Sequence, residues 1–413
     1  MVCLLKSPTA DSKGIIVFTH KERFLLDRRI STLDEQLQRV KESYVVGMHW
    51  GIYQSDVDPV PYVDFHLARP NTVSFTDEST IRRIPLASYN FIPERFREME
   101  IPEDWDLITV AHPTRRKRNR ELLEVIRRMY DEGNIIDVLF ICGKPSSNKG
   151  PQWDYEFFER YENDFTEEEQ RHIEIATPVR DEDLFPIPNS LFPYFYNAST
   201  VSVLFSEVEG NPKVLHEALL CGTPVIVRSD LKGAGMDYLT ENNARIVEDL
   251  TEAKEALTDM VTNPQHYDFD AEELRKDICA SHTTETLESE VKAVFEELDE
   301  PFEGELQMRD LWKKLPSHDI STIPREFCTE YTSDLKSQTA LYEFVNWLLD
   351  RHTSPVEKRE VQLKSAKYWS QEQAPHWAKK KMTRTIWGLD RRTRLPVYEM
   401  VKKAYNTVTT NQK

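Results

Sequence analysis

The sequence predicts an α/β fold in which helices cover both faces of a parallel sheet. Between residues 107 and 265, continuous apolar runs of strand length alternate with helical patterns, which is typical of buried parallel strands. At 413 residues the chain is long enough for two domains, each with its own hydrophobic core. With 39% hydrophobic and 30% charged residues, the composition is that of a globular protein.

The first predicted domain, residues 1–103, has the less regular pattern. Strands are predicted at residues 14–19, 44–48, 71–75 and 83–86, and a helix is predicted from 22 to 41. The chain begins without a secretory leader pattern. An acidic stretch at residues 93–106 is predicted to link this domain to the next.

The second predicted domain, residues 104–265, carries the alternating pattern, and a helical region with a basic tail, residues 266–413, follows it. The predicted strands are 107–111, 135–141, 172–176, 200–205, 225–227 and 244–247, and the helices are 118–130, 155–171 and 212–221. Ligands of such sheets bind at the carboxyl ends of the strands. The loops after residues 111 and 205 are therefore candidates for the functional site.

Charge and cysteine content limit the classes of partner and location. The net charge of −18 argues against binding of nucleic acid. No apolar run reaches the roughly 20 residues that a membrane span needs. The five cysteines are widely spaced and odd in number, which indicates reduced thiols and a cytoplasmic location.

The last 59 residues form a basic tail on an acidic body. Residues 355–413 hold 14 Lys/Arg against 5 Asp/Glu, which leaves a net charge of −27 on the rest of the chain. We expect the tail to dock on that acidic body. Peripheral contact with an anionic membrane is the alternative.

The most informative stretch is a strand–loop–helix–strand unit at residues 200–227. Two carboxylates, Glu209 and Glu217, are separated there by a Gly-Asn-Pro turn. Free amides at the start of the helix favour a phosphate. A carboxylate deeper in the helix can accept hydrogen bonds from a ribose. The alternative is a surface helix with two solvated glutamates.

This stretch resembles the signature of retaining GT-B glycosyltransferases of the group-1 family. The matching residues are Ser206, Glu209, Gly210, Glu217, Ala218, Gly222, Pro224 and Val225. The resemblance covers residues 84–300 and is faint over 14–83. It implies a GT-B-like fold, with two Rossmann-type domains across a cleft and a helical C-terminal extension. The N-terminal domain is expected to be reduced, with its first strands missing, because it is about half the family's length and lacks the opening Gly-rich loop.

The resemblance implies transfer of a sugar from a nucleotide-diphosphate sugar with retention of anomeric configuration. A glycan, a lipid-linked molecule or a small molecule would be the acceptor, and no cofactor or essential metal is expected. Two alternatives stay open: a sugar-nucleotide epimerase, and a non-catalytic sugar-nucleotide-binding or scaffold subunit. The nucleotide base, the sugar and the acceptor do not follow from the sequence.

A basic run after the strand 107–111 is predicted to hold the diphosphate. Cations at the start of a helix are unfavourable without an anion, and Lys117, helped by Arg116 or Arg115, matches the family's phosphate-binding lysine. Backbone amides of the turn would add contacts; its residues are Gly210, Asn211, Pro212, Lys213 and Val214. A basic run that solvates a helix start, and an ordinary capped turn, are the alternatives.

The family assigns the remaining roles to carboxylates and a histidine. Glu217 is expected to bind the ribose, and Glu209 is expected to face the transferred sugar without acting as a nucleophile. His20 follows an apolar strand and is predicted to contact the donor sugar or its phosphate. His49 is the competing candidate for that role.

Overall fold

The computed structural model describes residues 2–20, 34–60, 62–76, 81–144, 154–178 and 185–315. Most of the helix predicted at 22–41 lies outside these ranges, as do Cys328 and the basic tail. Within them the chain forms two mainly parallel sheets. The predicted α/β class with two Rossmann-type units is confirmed by the strand orders of the two main sheets, while the part of the C-terminal extension beyond residue 315 lies outside the described residues.

The N-terminal unit is a five-stranded sheet in the order β1-β2-β3-β5-β7. Only β1 runs antiparallel to its neighbour, and β4 and β6 form a separate parallel pair. The predicted strands at 14–19 and 44–48 are confirmed, whereas β1, β4 and β5 were not predicted. The elements are β1 (Val2–Lys6), β2 (Gly14–Thr19), α1 (Asp34–Ser43), β3 (Tyr44–His49), β4 (Gln54–Val57), β5 (Phe65–Leu67), β6 (Val73–Phe75) and β7 (Arg82–Ile84).

The second unit is a six-stranded parallel sheet in the order β10-β9-β8-β11-β13-β15. Its elements are β8 (Trp105–Ala111), α2 (Asn119–Asp131), β9 (Val138–Cys142), α3 (Tyr155–Asp164), β10 (Ile173–Ala176), α4 (Phe192–Asn197), β11 (Ser199–Leu204), β12 (Val208–Glu209), α5 (Lys213–Leu220), β13 (Val225–Arg228), β14 (Lys232–Gly233), β15 (Ala244–Val247) and α6 (Leu250–Thr262). If these six strands are renumbered 1 to 6 along the chain, their order in the sheet is 3-2-1-4-5-6, which is that of a doubly wound fold. The strand order reverses between β8 and β11.

Three further helices follow: α7 (Ala271–Ile278), α8 (Ala280–Glu297) and α9 (Leu311–Lys314). The chain crosses back here, because α8 and α9 share an apolar core with the N-terminal sheet. Val17 and Phe65 of that sheet belong to the same buried cluster as Leu287, Phe295 and Trp312. The division of the chain at residues 103 and 265 stays a prediction.

Burial explains why the strands read as continuous apolar runs. All six residues of β2 and of β3 are buried, as expected for parallel strands between two helical layers. Cys3, Cys142, Cys221 and Cys279 are buried, and none of these four described cysteines forms a disulfide bond. In the part of the chain that is described, no helix is long and apolar enough to span a membrane.

Candidate functional site

The predicted basic run and the predicted glutamate meet where the strand order reverses. Lys117 follows β8, Glu209 follows β11, and the two strands are neighbours in the sheet. Lys117 Nζ donates to Glu209 Oε1 in a close ion pair, with the side chains only 14% and 13% exposed. In doubly wound sheets this reversal opens the crevice in which ligands bind.

A short ladder fixes the backbone of Glu209. Strand β12 pairs with β14, so that Glu209 lies opposite Gly233. Lys232 N donates to Glu207 O over 2.9 Å. A Cβ on Gly233 would come 1.8 Å from Glu209 O, and its φ of +114° is one that side chains rarely adopt. Only glycine therefore allows this approach.

Two of the four basic residues at 115–118 have acidic partners within the chain. Besides Lys117, Arg118 donates to both carboxylate oxygens of Asp230 over 2.9 Å and lies 3.4 Å from Glu207. Its φ of +53° is held by these contacts. Arg115 and Arg116 are exposed, and Arg116 contributes its carbonyl to Glu207 N at 3.0 Å. Acidic side chains of the protein therefore supply part of the negative charge that this basic run was predicted to need.

His112 is a member of the site that was not predicted. Its ring lies against Gly143 at the end of β9, because a Cβ on Gly143 would come 2.7 Å from the ring. His112 Nδ1 is buried without a hydrogen-bond partner. Burial lowers the pKa of His112, and Lys117 lowers it further, against the opposing effects of the Gly143 backbone and the Glu209 charge. Its position directly after β8, at the reversal point, was the available signal.

The N-terminal unit contacts the turn through the loop after β3. Asn211 Nδ2 donates to Trp50 O over 3.4 Å, and Gly51 N donates to His20 Nδ1 over 3.3 Å. A Cβ on Gly210 would lie 2.2 Å from Ile52 Cα, so glycine is required where the two units touch. His20 and Asn211 therefore both lie against Gly51, and the donor-binding roles predicted for them stay predictions.

His49, the competing histidine, is enclosed. Its two ring nitrogens are buried and have no hydrogen-bond partner. Burial lowers the pKa of His49 to about 3, helped by the neighbouring His20 and Lys213. A permanently neutral ring is a weak candidate for holding an anion by charge.

Glu217 contacts a different set of side chains from Glu209. It is only 5% exposed, and Tyr196 Oη donates to its Oε2 over 3.4 Å. Burial raises the pKa of Glu217, while Lys213 and Arg95 act against that rise. Glu217 therefore lies near two cationic side chains, Lys213 and Arg95.

The first turn of α5 accounts for the other predicted residues. Lys213 Nζ donates to Trp312 O over 3.1 Å, and burial lowers the pKa of Lys213. Pro212 O accepts from Leu215 N over 3.1 Å, and Lys213 N donates to Asn211 O over 2.8 Å. Val214 is half-buried against the core of the second unit. The amides of Lys213 and of Leu215, the residue after the predicted turn, therefore already have acceptors in the chain.

Comparisons with known proteins bear on the fold. No family model and no curated protein matches the chain. Among solved structures it is similar to TarM, at 12% identity and a TM-score of 0.48 over 68% of this chain and 54% of TarM. It is also similar to α,α-trehalose 6-phosphate synthase from Burkholderia multivorans, at 14% identity and a TM-score of 0.47 over 70% of this chain and 73% of that one.

A third similar structure is sucrose-phosphate synthase from Thermosynechococcus elongatus, at 15% identity and a TM-score of 0.44 over 63% of this chain and 71% of that one. The chain spans about half the length of TarM. At these identities the likeness concerns the fold alone. Within the described residues, no group of three or more His, Cys, Asp or Glu side chains is placed to hold a metal ion.

Proposed function

We propose that the protein is a retaining glycosyltransferase that uses a nucleotide-diphosphate sugar. The observation that carries this proposal is the Lys117–Glu209 ion pair at the reversal point between β8 and β11. A cation for the diphosphate and a carboxylate for the sugar lie side by side there. His20 approaches the neighbouring turn from the other unit, so the site has two walls.

The leaving diphosphate gains negative charge as the bond to the sugar breaks, and the site must stabilise that charge. Lys117 is suited to this role, with the exposed Arg116 as a second cation. A bound diphosphate would supply the negative charge that Glu209 now supplies to Lys117. The Glu209 carboxylate could then turn to the hydroxyl groups of the sugar.

Glu209 would orient the transferred sugar and favour positive charge on the reacting ring. His20 would hydrogen-bond the sugar or its phosphate, and amides of residues 210–214 would add contacts to the diphosphate. We assign Glu217 to the ribose hydroxyls. Because Glu217 is only 5% exposed, that role requires a local shift when the nucleotide binds. The acceptor would be a glycan, a lipid-linked molecule or a small molecule.

The test is calorimetric titration of the full chain with a panel of sugar nucleotides that differ in base and sugar. One member should bind, and Lys117→Met should weaken its binding far more than that of the bare nucleoside. The matched control is Lys254→Met, which breaks another Lys–Glu pair, with Glu132 beyond the far end of α2. That end is about 20 Å from the start of α2. Binding of no sugar nucleotide, or equal binding by the two variants, would contradict the proposal.

A further inference from the structure

Three cationic side chains surround the indole of Trp312. The ring centroid lies 5.1 Å from the Arg95 guanidinium, 5.0 Å from Lys213 Nζ and 4.8 Å from Lys313 Nζ. These residues come from three places in the chain: the linker between the sheets, the first position of α5, and α9. Like charges repel, so their convergence requires a compensating group.

The two cations nearest the interior have no acidic partner in contact. Neither Arg95 nor Lys213 forms an ion pair within 4.0 Å in the described ranges. Arg95 Nε is buried and has no hydrogen-bond partner among the residues that the structure describes. Lys213 Nζ donates to Trp312 O, which uses one of its three N–H groups.

The indole adds a third donor to this cluster. Trp312 is only 4% exposed, and its buried Nε1 has no hydrogen-bond partner within the described ranges. A buried donor without an acceptor is unfavourable unless a ligand satisfies it, and the two half-buried cations Arg95 and Lys213 share one nearby carboxylate, Glu217, which leaves a net positive charge. Glu217 acts on both Arg95 and Lys213, and Asp310 acts on Arg95, but each does so only through its longer-range field. Guanidinium, ammonium and indole N–H together match the acceptor oxygens of a phosphate.

We propose that Arg95, Lys213 and Trp312 form a phosphate-binding subsite, separate from Lys117, in the cleft between the two units. The position between the two units follows from packing, because Trp312 belongs to the buried cluster of the N-terminal sheet, whereas Lys213 begins α5 of the second unit and donates to Trp312 O. Only the source of the phosphate rests on the proposed function. It is either the diphosphate of the donor or a phosphate group on the acceptor.

The first experiment measures binding of inorganic phosphate to the full chain by calorimetry. Arg95→Met should weaken phosphate binding roughly tenfold to a hundredfold, the effect of losing hydrogen bonds to a charged group. Trp312→Phe keeps an aromatic face for the cations, removes the indole N–H and should weaken binding less. Arg97→Met removes an exposed arginine two residues away and should leave the affinity unchanged. No binding by the wild type, or equal binding by all four proteins, would overturn the subsite.

Altered stability of a variant does not obscure the result. The phosphate-induced rise in Tm is compared within each variant, and it depends on affinity rather than on the starting Tm. Arg95→Lys provides a second variant, because it keeps the charge and loses the planar pair of donors. It should bind phosphate with an affinity between those of the wild type and Arg95→Met. If Lys117→Met alone abolishes phosphate binding, the phosphate belongs to Lys117 and the subsite is wrong.

A second experiment distinguishes the two sources with uridine, guanosine and adenosine diphosphates. If Arg95→Met weakens nucleotide and phosphate binding in parallel, the subsite holds the donor. If it weakens phosphate binding and leaves nucleotide binding intact, the subsite serves a phosphorylated acceptor. Phosphate binding that depends on Arg95 in a protein that binds no nucleotide would support the subsite and contradict the proposed glycosyltransferase.

Discussion

Breaking the Lys117–Glu209 pair should destabilise the protein by an amount that its burial determines. Exposed ion pairs contribute about 0.2–1 kcal/mol, and removing one partner of a fully buried pair costs about 3–5 kcal/mol. With 14% and 13% of the two side chains exposed, the pair lies between these limits. We expect a coupling of about 2 kcal/mol between Lys117→Met and Glu209→Gln in a double-mutant cycle.

The assay is differential scanning calorimetry without nucleotide. For a unit the size of residues 104–265, a change of about 2 kcal/mol in the free energy of unfolding corresponds to a Tm change of roughly 4–8 °C. The control cycle uses Lys254 and Glu132, whose side chains are 21% and 52% exposed, and it should give under about 1 kcal/mol. A coupling at Lys117–Glu209 no larger than this control would refute the view that the two loops are held together by a desolvated pair.

Three further predictions follow from the same structure. Gly210→Ala should lower both Tm and donor binding, because its Cβ would meet Ile52 Cα at 2.2 Å; Gly51→Ala, with 3.3 Å to its nearest neighbour, should cost less. Glu217→Ala should weaken nucleotide binding by about 1–3 kcal/mol, whereas Glu209→Ala should lower kcat more than affinity; equal effects in both assays would contradict these roles. Three buried histidines should each lower stability by up to about 1.4 kcal/mol per pH unit between pH 6.5 and 4, a loss that Glu174, whose pKa burial raises to about 7, offsets only in part. Burial depresses the pKa of His49 and of His66 to about 3 and the pKa of His216 to about 4. Only the unfolded chain therefore takes up these protons as the pH falls. Urea midpoints that do not change over this range would contradict the assignment.

Much of the second sheet could be predicted because its strands are buried on both faces. The strand at residues 244–247 agrees at both ends. The one predicted at 135–141 begins too early, since Ile135 is apolar but 45% exposed and precedes the strand. The helix predicted at 155–171 was too long, because Phe165 has an extended backbone and ends α3 at residue 164.

The N-terminal sheet was harder to predict because its strands are short or carry polar residues in the core. Strand β1 includes Lys6, which is buried and donates to Ser12 Oγ over 2.8 Å and to Lys13 O over 2.6 Å. A buried lysine hides the apolar pattern of a strand. Strand β5 has only three residues, and its central residue is His66, which accepts from Trp50 Nε1 over 3.1 Å.

The candidate site also has one part that could be predicted from the sequence and one part that could not. Lys117 and Glu209 could be paired from the sequence, because both follow predicted parallel strands and such strand ends share one edge of a sheet. The cluster around Trp312 could not be predicted. Lys213 and Trp312 are 99 residues apart, and nothing in the local sequence indicates that the chain crosses back to the first sheet. Long-range packing of this kind leaves no periodic signal.

The most direct test of the central claim is the chemistry on a donor. The full chain is incubated with the sugar nucleotide that binds, and release of the nucleoside diphosphate is followed by proton NMR together with the configuration of the first-formed sugar product. We predict release that persists in EDTA and is lost in Lys117→Met, with the donor's anomeric configuration retained. An inverted product would contradict the retaining mechanism, and the absence of release from every sugar nucleotide that binds would contradict the proposed glycosyltransferase.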